Sequence, residues 1–450
     1  MKHFSVLLNE TAVANNCGAM EADTISKNGR KSKSQMRKMN FLFCTLLLVI
    51  IGFITITGCD VSGKSKITMS TESIEVEFGI AGSGSVTINW GDGTIEKAEL
   101  PINYDGEVRK FSRMYNSGSY RTIIITSNNI TKLDCGDNNL ISLDVSKCQK
   151  LEELDCYENQ LTNLEVSKNI ALTELICKGN QLKSLDLSKN NSLTGLICNG
   201  NQLNDLDLRK NTELTWLECH TNQLINLNVS KCTELIWLDC SQNQLQKINI
   251  TNCTALKNLN CSLNQLISLD LSKNTNLKEK LDCRGNQLTN LDLSNNTDLT
   301  GLDCSSNKLI SLEVSINSAL ISLDCSYNQL TSLDVSKNSE LRSFHCGGNK
   351  LTSLDVSKNR LMYFSCQENQ LKSLVVRNSM CVLDLNCSSN NLTSSALNDL
   401  FEMLGKATCF SGYTNYIIIG NNQGTKECNT SIARNKGWVV DFGTTVPRRW

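Results

Sequence analysis

The chain has little of what reactive sites are usually made of. Among its 450 residues there are 3 histidines, 5% aromatic and 20% charged residues, and the net charge is −1. No long basic block follows residue 58, which argues against a nucleic-acid partner because such partners require a basic surface. The G-x-S-x-G and H-E-x-x-H patterns of hydrolases and the C-x-x-C pattern of metal or redox sites do not occur. We therefore expect no enzymatic activity, no cofactor and no metal centre.

What the chain does have is a leucine-rich unit that recurs along most of its length. The segment from Leu151 to Leu161, with the pattern L-x-x-L-x-C-x-x-N-x-L, returns at Leu172, Leu193 and Leu214 and continues beyond them. The step is 21 residues, apart from one of 22 and one of 20. A fixed period in this range is typical of a solenoid. Thirteen cysteines align the copies: Cys135, Cys156, Cys177, Cys198, Cys219, Cys240, Cys261, Cys283, Cys304, Cys325, Cys346, Cys366 and Cys387.

Each unit contains two similar halves, as residues 151–159 (LEELDCYEN) and 161–169 (LTNLEVSKN) illustrate. The unit resembles the leucine-rich repeat, and its nested form is similar to a bacterial subclass with two L-x-x-L-x-L-x-x-N segments per 21 residues. The resemblance implies a β-rich solenoid, a right-handed coil with parallel strands on both faces, whose 13 repeats span residues 131–394. With neighbouring strands about 4.8 Å apart, the coils would stack to roughly 60 Å.

The repeated thiol and amide positions are predicted to be structural. Each cysteine follows a strand leucine by two residues and therefore points into the core with it, where a free cysteine behaves as a small apolar side chain. An odd number of cysteines in register on parallel strands is also a poor arrangement for disulfides. The asparagine three residues later occurs in all thirteen copies, where its amide can satisfy unpaired backbone groups of the turn. Cys148, Cys232 and Cys253 replace second-half asparagines and are predicted to lie in the bends.

Near the N-terminus, an apolar run from Phe41 to Thr57 follows Arg37 and Lys38 and ends at Gly58-Cys59. This arrangement resembles a bacterial lipoprotein signal, which implies cleavage before Cys59 and lipidation of that residue. An uncleaved membrane anchor is the alternative, although the run is short for a spanning helix. We accordingly assign residues 1–35 to an extension before the true start, residues 36–58 to the signal and residues 59–66 to a tether.

Two further regions flank the repeats. Residues 67–130 alternate with the period of strands and contain WGDGT at residues 90–94, where Asp-Gly indicates a tight turn. With the later Tyr115, this motif is similar to PKD-type β domains, which implies a small β-sandwich-like domain. Residues 395–450 begin with apolar residues at helical spacing and continue with strand-like segments, so we expect an α/β cap over the open end of the solenoid. Cys409 and Cys428 of this cap could form a disulfide.

Outward-facing positions are where one coil can differ functionally from the next. The fifth position is often acidic, which predicts a solvated charged face; such a row could also collect Ca²⁺, although dedicated calcium loops have denser ligand sets. The third position holds Trp216 and Trp237 on adjacent coils, about 5 Å apart along the axis. Exposed tryptophans are enriched at binding hot spots and also stack on sugars, but the pair could merely shield the sheet. The candidate binding residues are Trp216, Trp237, His220, Glu218, Asp239 and Tyr363.

The spacing of the histidines argues further against catalysis, because His220 and His345 lie six coils apart, about 29 Å at strand spacing. We interpret the chain as a monomeric, lipid-anchored protein of a bacterial cell envelope, in the outer membrane or at the cell surface. Its exposed strand face is predicted to bind a protein partner, such as a host surface protein. This interpretation resembles internalin-like surface adhesins, although a fold does not fix a function. A glycan-binding surface module and a structural spacer without a ligand are the alternatives.

Overall fold

The computed structural model of the protein describes residues 64–100, 108–376, 383–407 and 414–443. The described part begins with an antiparallel β region and continues as a solenoid. The strands of the first region are Ser65–Thr71 (β1), Glu75–Asn89 (β2), Ile95–Leu100 (β3), Arg109–Met114 (β4), Arg121–Asp134 (β5) and Leu140–Asp144 (β6).

The antiparallel strands enclose an apolar core, because alternate side chains of a strand point to the same side. Trp90 and Phe78 lie in this core with 1% of each exposed. The Trp90 indole donates to Glu96, and the Tyr115 hydroxyl donates to the Trp90 carbonyl oxygen at 2.8 Å. The residues of the WGDGT motif and the later tyrosine therefore meet, while the likeness of this region to PKD-type domains stays a prediction.

Strand β5 joins this region to the solenoid. It pairs with β1 and β2 in antiparallel fashion, but its last residues, 132–134, pair in parallel with the next strand, Glu153–Asp155 (β7). The first coil of the solenoid therefore begins inside a strand of the preceding region, and both regions share one sheet.

Each further coil adds a strand of three residues to this main sheet, in parallel and in register. The middle residue of every strand is apolar and buried, which is why the pattern repeats a leucine here. The leucine-rich-repeat solenoid is thereby confirmed. After β7, the strands of the main sheet are Glu174–Ile176 (β8), Gly195–Ile197 (β9), Trp216–Glu218 (β10), Trp237–Asp239 (β12), Asn258–Asn260 (β14), Lys280–Asp282 (β15), Gly301–Asp303 (β16), Ser322–Asp324 (β17), Ser343–His345 (β18), Tyr363–Ser365 (β20), Asp384–Asn386 (β22), Tyr416–Ile418 (β23) and Val439–Asp441 (β24).

The opposite face of the solenoid is less regular. Parallel ladders form there between Asn226–Asn228 (β11) and Lys247–Asn249 (β13), and between Ser353–Asp355 (β19) and Ser373–Val375 (β21). In most other described coils the second half has no ladder. Parallel pairing is therefore continuous along the main sheet and intermittent on the opposite face.

The thirteen ladder cysteines pack inside the solenoid. All are free thiols with at most 1% exposed, which confirms that they belong to the core. Burial, together with the neighbouring thiols of Cys219 and Cys261, raises the pKa of Cys240 well above its ordinary value. The ladder is therefore uncharged at neutral pH and, since the thiolate is the reactive form, chemically inert while the protein is folded.

The asparagine after each cysteine holds two coils together. In a central coil, Asn264 Nδ2 donates to the carbonyl oxygens of Cys240, Cys261 and Ser262 at 3.0, 3.1 and 3.1 Å. Its Oδ1 accepts from the Leu245 backbone N–H at 2.9 Å. Cys240 and Leu245 belong to the preceding coil, so one amide satisfies backbone groups of both coils. The predicted structural role of this asparagine is confirmed.

The second-half asparagines act as donors alone. Asn338 Nδ2 donates to the carbonyl oxygens of Val314 and Asn317, both at 2.9 Å, while its buried Oδ1 has no partner among the described residues. Where cysteine stands at the equivalent position, the thiol replaces this donor: Cys253 Sγ donates to the Val229 carbonyl oxygen at 3.2 Å. The cysteines predicted for the bends are thus buried hydrogen-bond donors.

The C-terminal region continues the coil before it closes the stack. Helix α1 (Ser394–Met403) buries Leu397, Leu400 and Phe401 and packs against β21 and helix α2 (Ser431–Asn435). Strands β23 and β24 extend the main sheet by two steps beyond the coil of the last ladder cysteine, Cys387. Asn422 bonds to the carbonyl oxygen of Cys387, as the repeat asparagines do with theirs. The last repeat therefore keeps a neighbour that satisfies its backbone.

Candidate functional site

The tryptophan pair lies on the main sheet. Trp216 and Trp237 are register partners in β10 and β12, and their indoles stack with ring centroids 4.6 Å apart and planes within 2° of parallel. The residues that follow them, Leu217 and Leu238, are fully buried, as the alternation of a strand requires. Both indoles are half-buried rather than fully exposed, because each covers one face of the other.

The neighbours of the pair along the same row are small or buried. Gly195 is the register partner of Trp216 on one side, and Asn258 is that of Trp237 on the other. Gly195 is buried although it has no side chain, and 8% of Asn258 is exposed. The two indoles therefore form an apolar step that rises between two low neighbours on the sheet.

Glu218, predicted to belong to an open polar rim, is buried instead, with 8% exposed. It lies two residues from Trp216 on the same strand face, and Trp216 Nε1 donates to its Oε1 at 3.0 Å. Asp239 accepts from Ser241 N–H at 2.9 Å and from Asn260 Nδ2 at 2.9 Å. The two-residue spacing indicates such a contact, since residues i and i+2 of a strand share a face, but the sequence interpretation missed it. Glu218 therefore holds the Trp216 indole in place, whereas the buried Nε1 of Trp237 has no hydrogen-bond partner among the described residues.

The electrostatics of the site follow from this burial. Burial, and secondarily the charge of Asp239, raises the pKa of Glu218 to about 7. Burial also lowers the pKa of His220, whereas Asp239 favours its charged form. The His220 imidazole lies 3.0 Å from the Thr221 hydroxyl. At pH 7 Glu218 is therefore partly protonated and His220 is neutral, and the carboxylate of Asp239 supplies the negative charge beside the indoles.

Tyr363 does not belong to this site. It lies on β20, six coils from Trp237, which is roughly 29 Å at strand spacing. Its side chain is half-exposed on the same face of the sheet. The structure therefore unites the tryptophan pair with Glu218, Asp239 and His220 and leaves Tyr363 apart.

Glu218→Gln is expected to stabilise the protein at neutral and higher pH. The folded-state pKa of about 7 lies above the ordinary value of 4.5, so the folded protein binds this proton more tightly than the unfolded chain does. The resulting stabilisation is complete below pH 4.5 and is lost as the pH rises through 7. Glutamine stays uncharged at every pH, so the free energy of unfolding at pH 8 should rise by on the order of 2 kcal/mol relative to wild type. Urea denaturation at pH 5 and pH 8 measures the difference.

Glu165→Gln is the matched control for this prediction. Hydrogen bonds from Ser167 lower the pKa of Glu165, which lies at the surface of the second face. Its replacement should therefore bring no stabilisation at pH 8. Equal stability of Glu218→Gln and wild type at pH 8 would contradict the buried, partly protonated state of Glu218.

A pattern at residues 58–65, G-x-x-x-x-G-K-S, fits the spacing of a phosphate-binding loop. Such a loop leads directly into a helix, whose N-terminus contributes to phosphate binding. Here Ser65 instead begins β1, an antiparallel strand. Residues 64–71, the described part that would have to open this helix, are therefore extended, and the pattern supports no nucleotide site.

Two predictions concern residues outside the described ranges. They are the lipidation of Cys59 and the disulfide between Cys409 and Cys428, of which Cys409 lies outside those ranges. Cys428 itself is half-buried, and its thiol donates to the Thr425 carbonyl oxygen at 3.4 Å. Within the described ranges, no helix is both long and apolar enough to cross a membrane. The same ranges contain no group of three or more His, Cys, Asp or Glu side chains that could hold a metal ion.

A solved structure that includes a cysteine ladder shares this architecture. The functional domain of InlJ from Listeria monocytogenes, which includes a cysteine ladder, is similar with a TM-score of 0.61 and 35% identity, over 68% of this chain and 66% of that one. The chain is a leucine-rich-repeat solenoid that is similar to internalins. This internalin-like protein spans slightly less than two thirds of the InlJ domain's length.

Other structures share the fold at lower identity. The leucine-rich-repeat protein LIC12759 from Leptospira interrogans has a TM-score of 0.59 and 24% identity over 69% of this chain and 83% of its own. The internalin InlF from Listeria monocytogenes has a TM-score of 0.54 and 21% identity over 70% and 87%. No protein-family model and no curated protein matches the chain. An internalin-like solenoid supports a role as a protein-interaction scaffold.

Proposed function

We propose that this internalin-like protein is a lipid-anchored scaffold of a bacterial cell envelope that binds a protein partner through its main sheet. The observation that carries the proposal is the parallel stack of Trp216 and Trp237, which rises between Gly195 and Asn258. An apolar, aromatic centre among polar side chains is the layout of an interface core. Tryptophan is also enriched among the residues that dominate binding energy.

A glycan is the second candidate ligand, since tryptophan side chains also stack on sugars. The geometry of the pair favours a protein. Each indole uses one ring face on the other, and the remaining faces point along the row towards Gly195 and Asn258. Neither ring lies flat on the sheet as a stacking surface for a sugar, and an apolar or aromatic side chain of a protein can pack against the edges of the stacked pair.

The double variant Trp216→Ala/Trp237→Ala is expected to lose the partner while keeping its fold. Truncating an interface anchor typically costs about 2 kcal/mol or more, which corresponds to roughly 30-fold in affinity. Residues 60–450 serve as bait to capture the partner, and the dissociation constant is then measured with the captured protein. The melting temperature of the variant shows whether the fold is intact.

The matched control is Ile225→Ala/Ile267→Ala, which removes two exposed apolar side chains outside the main sheet. This control should bind the partner as wild type does. A tryptophan variant that also binds as wild type would place the interface elsewhere. A glycan array probed with the same bait tests the second candidate, because strong sugar binding that the tryptophan variant loses would favour the glycan.

The envelope part of the proposal rests on the apolar run that ends at Thr57-Gly58-Cys59. Expression in a bacterium that processes lipoproteins should yield a mature chain without residues 1–58 and with acyl chains on Cys59, as intact mass spectrometry would show. Cys59→Ala should abolish both modifications and release the protein from the membrane fraction. A Cys59→Ala chain that stays acylated and membrane-bound would disprove the assignment.

A further inference from the structure

A cavity of about 520 Å³ opens on the main sheet towards its C-terminal end. Side chains from β17, β18, β20 and β22 and from the last two strands, β23 and β24, line it. His345 in its wall lies five coils from Trp237, roughly 24 Å at strand spacing. The volume is within the range of pockets that hold a small ligand, and it also suffices for one long side chain with its flanking backbone.

The charged side chains that line the cavity are acidic. They are Asp324, Glu368 and Asp441, and the lining residues include no lysine or arginine. The one further titratable base in the wall is His345, whose pKa is lowered by burial, against the opposing charges of Asp324 and Asp303. The imidazole is therefore neutral at pH 7 and does not offset the carboxylates.

The serine hydroxyls that line the cavity already donate their hydrogens to neighbouring side chains. Ser326 Oγ donates to Asp324 at 2.5 Å, and Ser388 Oγ donates to Asn386 at 2.7 Å. The hydroxyl of Ser365 donates to Gln367 in the same way. Since a hydroxyl has one hydrogen and two lone pairs, these serines can offer only lone pairs to a ligand. The serines of the cavity thus offer only acceptors, while Tyr327, Gln367 and Asn386 in the same lining carry neutral donor groups.

Asp441 provides an independent indication of a missing donor. Its side chain is 9% exposed, hence nine-tenths buried, and it lines the cavity. Oδ1 accepts from the Gly443 backbone N–H at 2.9 Å, but Oδ2 is buried and has no hydrogen-bond partner among the described residues. A buried carboxylate oxygen without a donor is costly, so a ligand that brings N–H groups to this wall would remove the cost.

We propose that this cavity binds the guanidinium group of an arginine side chain presented by the protein partner. The inference rests on the proposed protein-binding function and names a second contact on the same face. Guanidinium has five N–H donors, no acceptor and a fixed positive charge, which complements an acceptor-rich wall with three carboxylates. A sugar hydroxyl carries no charge and would leave the carboxylates of the wall uncompensated.

The experiment titrates the full chain with N-acetyl-arginine amide and, as an uncharged analogue of the same shape, N-acetyl-citrulline amide. Calorimetry or NMR should show binding of the arginine compound with a dissociation constant on the order of 1 mM, and binding at least about tenfold weaker for the citrulline compound. Equal binding of both, or no binding of the arginine compound, overturns the proposal. Tighter binding of a methyl glycoside also overturns it.

Variants locate the site. Asp441→Asn, which keeps an oxygen for the Gly443 N–H, and Glu368→Gln, an exposed position, should each weaken arginine amide binding several-fold. Asp355→Asn, an exposed carboxylate on the opposite face, should leave it unchanged. Unchanged binding in both cavity variants overturns the proposal. The double tryptophan variant should still bind the arginine amide, so that a failure of the tryptophan site is distinguishable from a failure of the cavity.

Discussion

Replacement of Asn264 by alanine is expected to lower the free energy of unfolding by about 3 kcal/mol, because one buried N–H loses its acceptor and three carbonyl oxygens each lose a donor. Alanine would leave the N–H of Leu245 without its acceptor. The carbonyl oxygens of Cys240, Cys261 and Ser262 would each lose one donor and keep one other. All four groups lie in the buried turn, where water cannot replace the amide. Urea denaturation followed by circular dichroism measures the change.

Asn276→Ala provides the control, since it removes the same chemical group from the surface. Asn276 Nδ2 donates to the Thr254 carbonyl oxygen at 2.8 Å in an exposed position, where water can take over. Its loss should change the free energy of unfolding by less than about 0.5 kcal/mol. Similar effects of the two substitutions would contradict the stabilisation of the turn by Asn264.

Gly424→Ala is expected to cost about 3 kcal/mol by forcing the C-terminal region away from the solenoid. A Cβ atom at Gly424 would lie 1.9 Å from the Ser394 backbone nitrogen and 2.2 Å from the Thr393 carbonyl carbon, at the start of α1. Backbone atoms cannot rotate out of the way as a side chain can, so the helix has to shift. Hydrogen exchange should therefore become faster in α1, and the free energy of unfolding of the whole protein should be lower.

Gly301→Ala is the corresponding control on the main sheet. The nearest atom to its added Cβ is the Glu279 carbonyl oxygen at 3.4 Å, an ordinary contact. This variant should retain wild-type stability and wild-type exchange in α1. If Gly424→Ala behaves like Gly301→Ala, the C-terminal region is not locked at this point.

The repeat made most of the solenoid predictable. A fixed period places each leucine, cysteine and asparagine in the same environment many times, so one correct assignment is correct for all coils. The outward position of Trp216 and Trp237 followed from the same alternation, and the 4.6 Å spacing of their rings is close to that of neighbouring strands. Whether a partner uses these residues stays a prediction.

What the repeat could not indicate depends on contacts between unlike positions. Glu218 is buried beside the indole of Trp216, and Asp282 at the same position of its own coil is buried as well, so the solvated face predicted for this position is wrong at both residues. The shared strand β5 and the two added strands β23 and β24 lie where the period ends, so alignment on the cysteine gives no signal there. The cavity combines both situations, because Asp324 and His345 come from repeats whereas Asp441 comes from the C-terminal region.

The asparagine bonds also bear on how such proteins change during evolution. An asparagine after a ladder cysteine, such as Asn264, bonds to its own coil and to the one before it. Duplication or loss of one whole repeat would thus leave the remaining coils with equivalent neighbours, and the core would not need to be rebuilt. Relatives that gained or lost repeats between Trp237 and Asp324 would hold the two binding features at separations differing in steps of about 4.8 Å. Each such relative would then suit a partner with a different distance between its apolar and its basic contact residue.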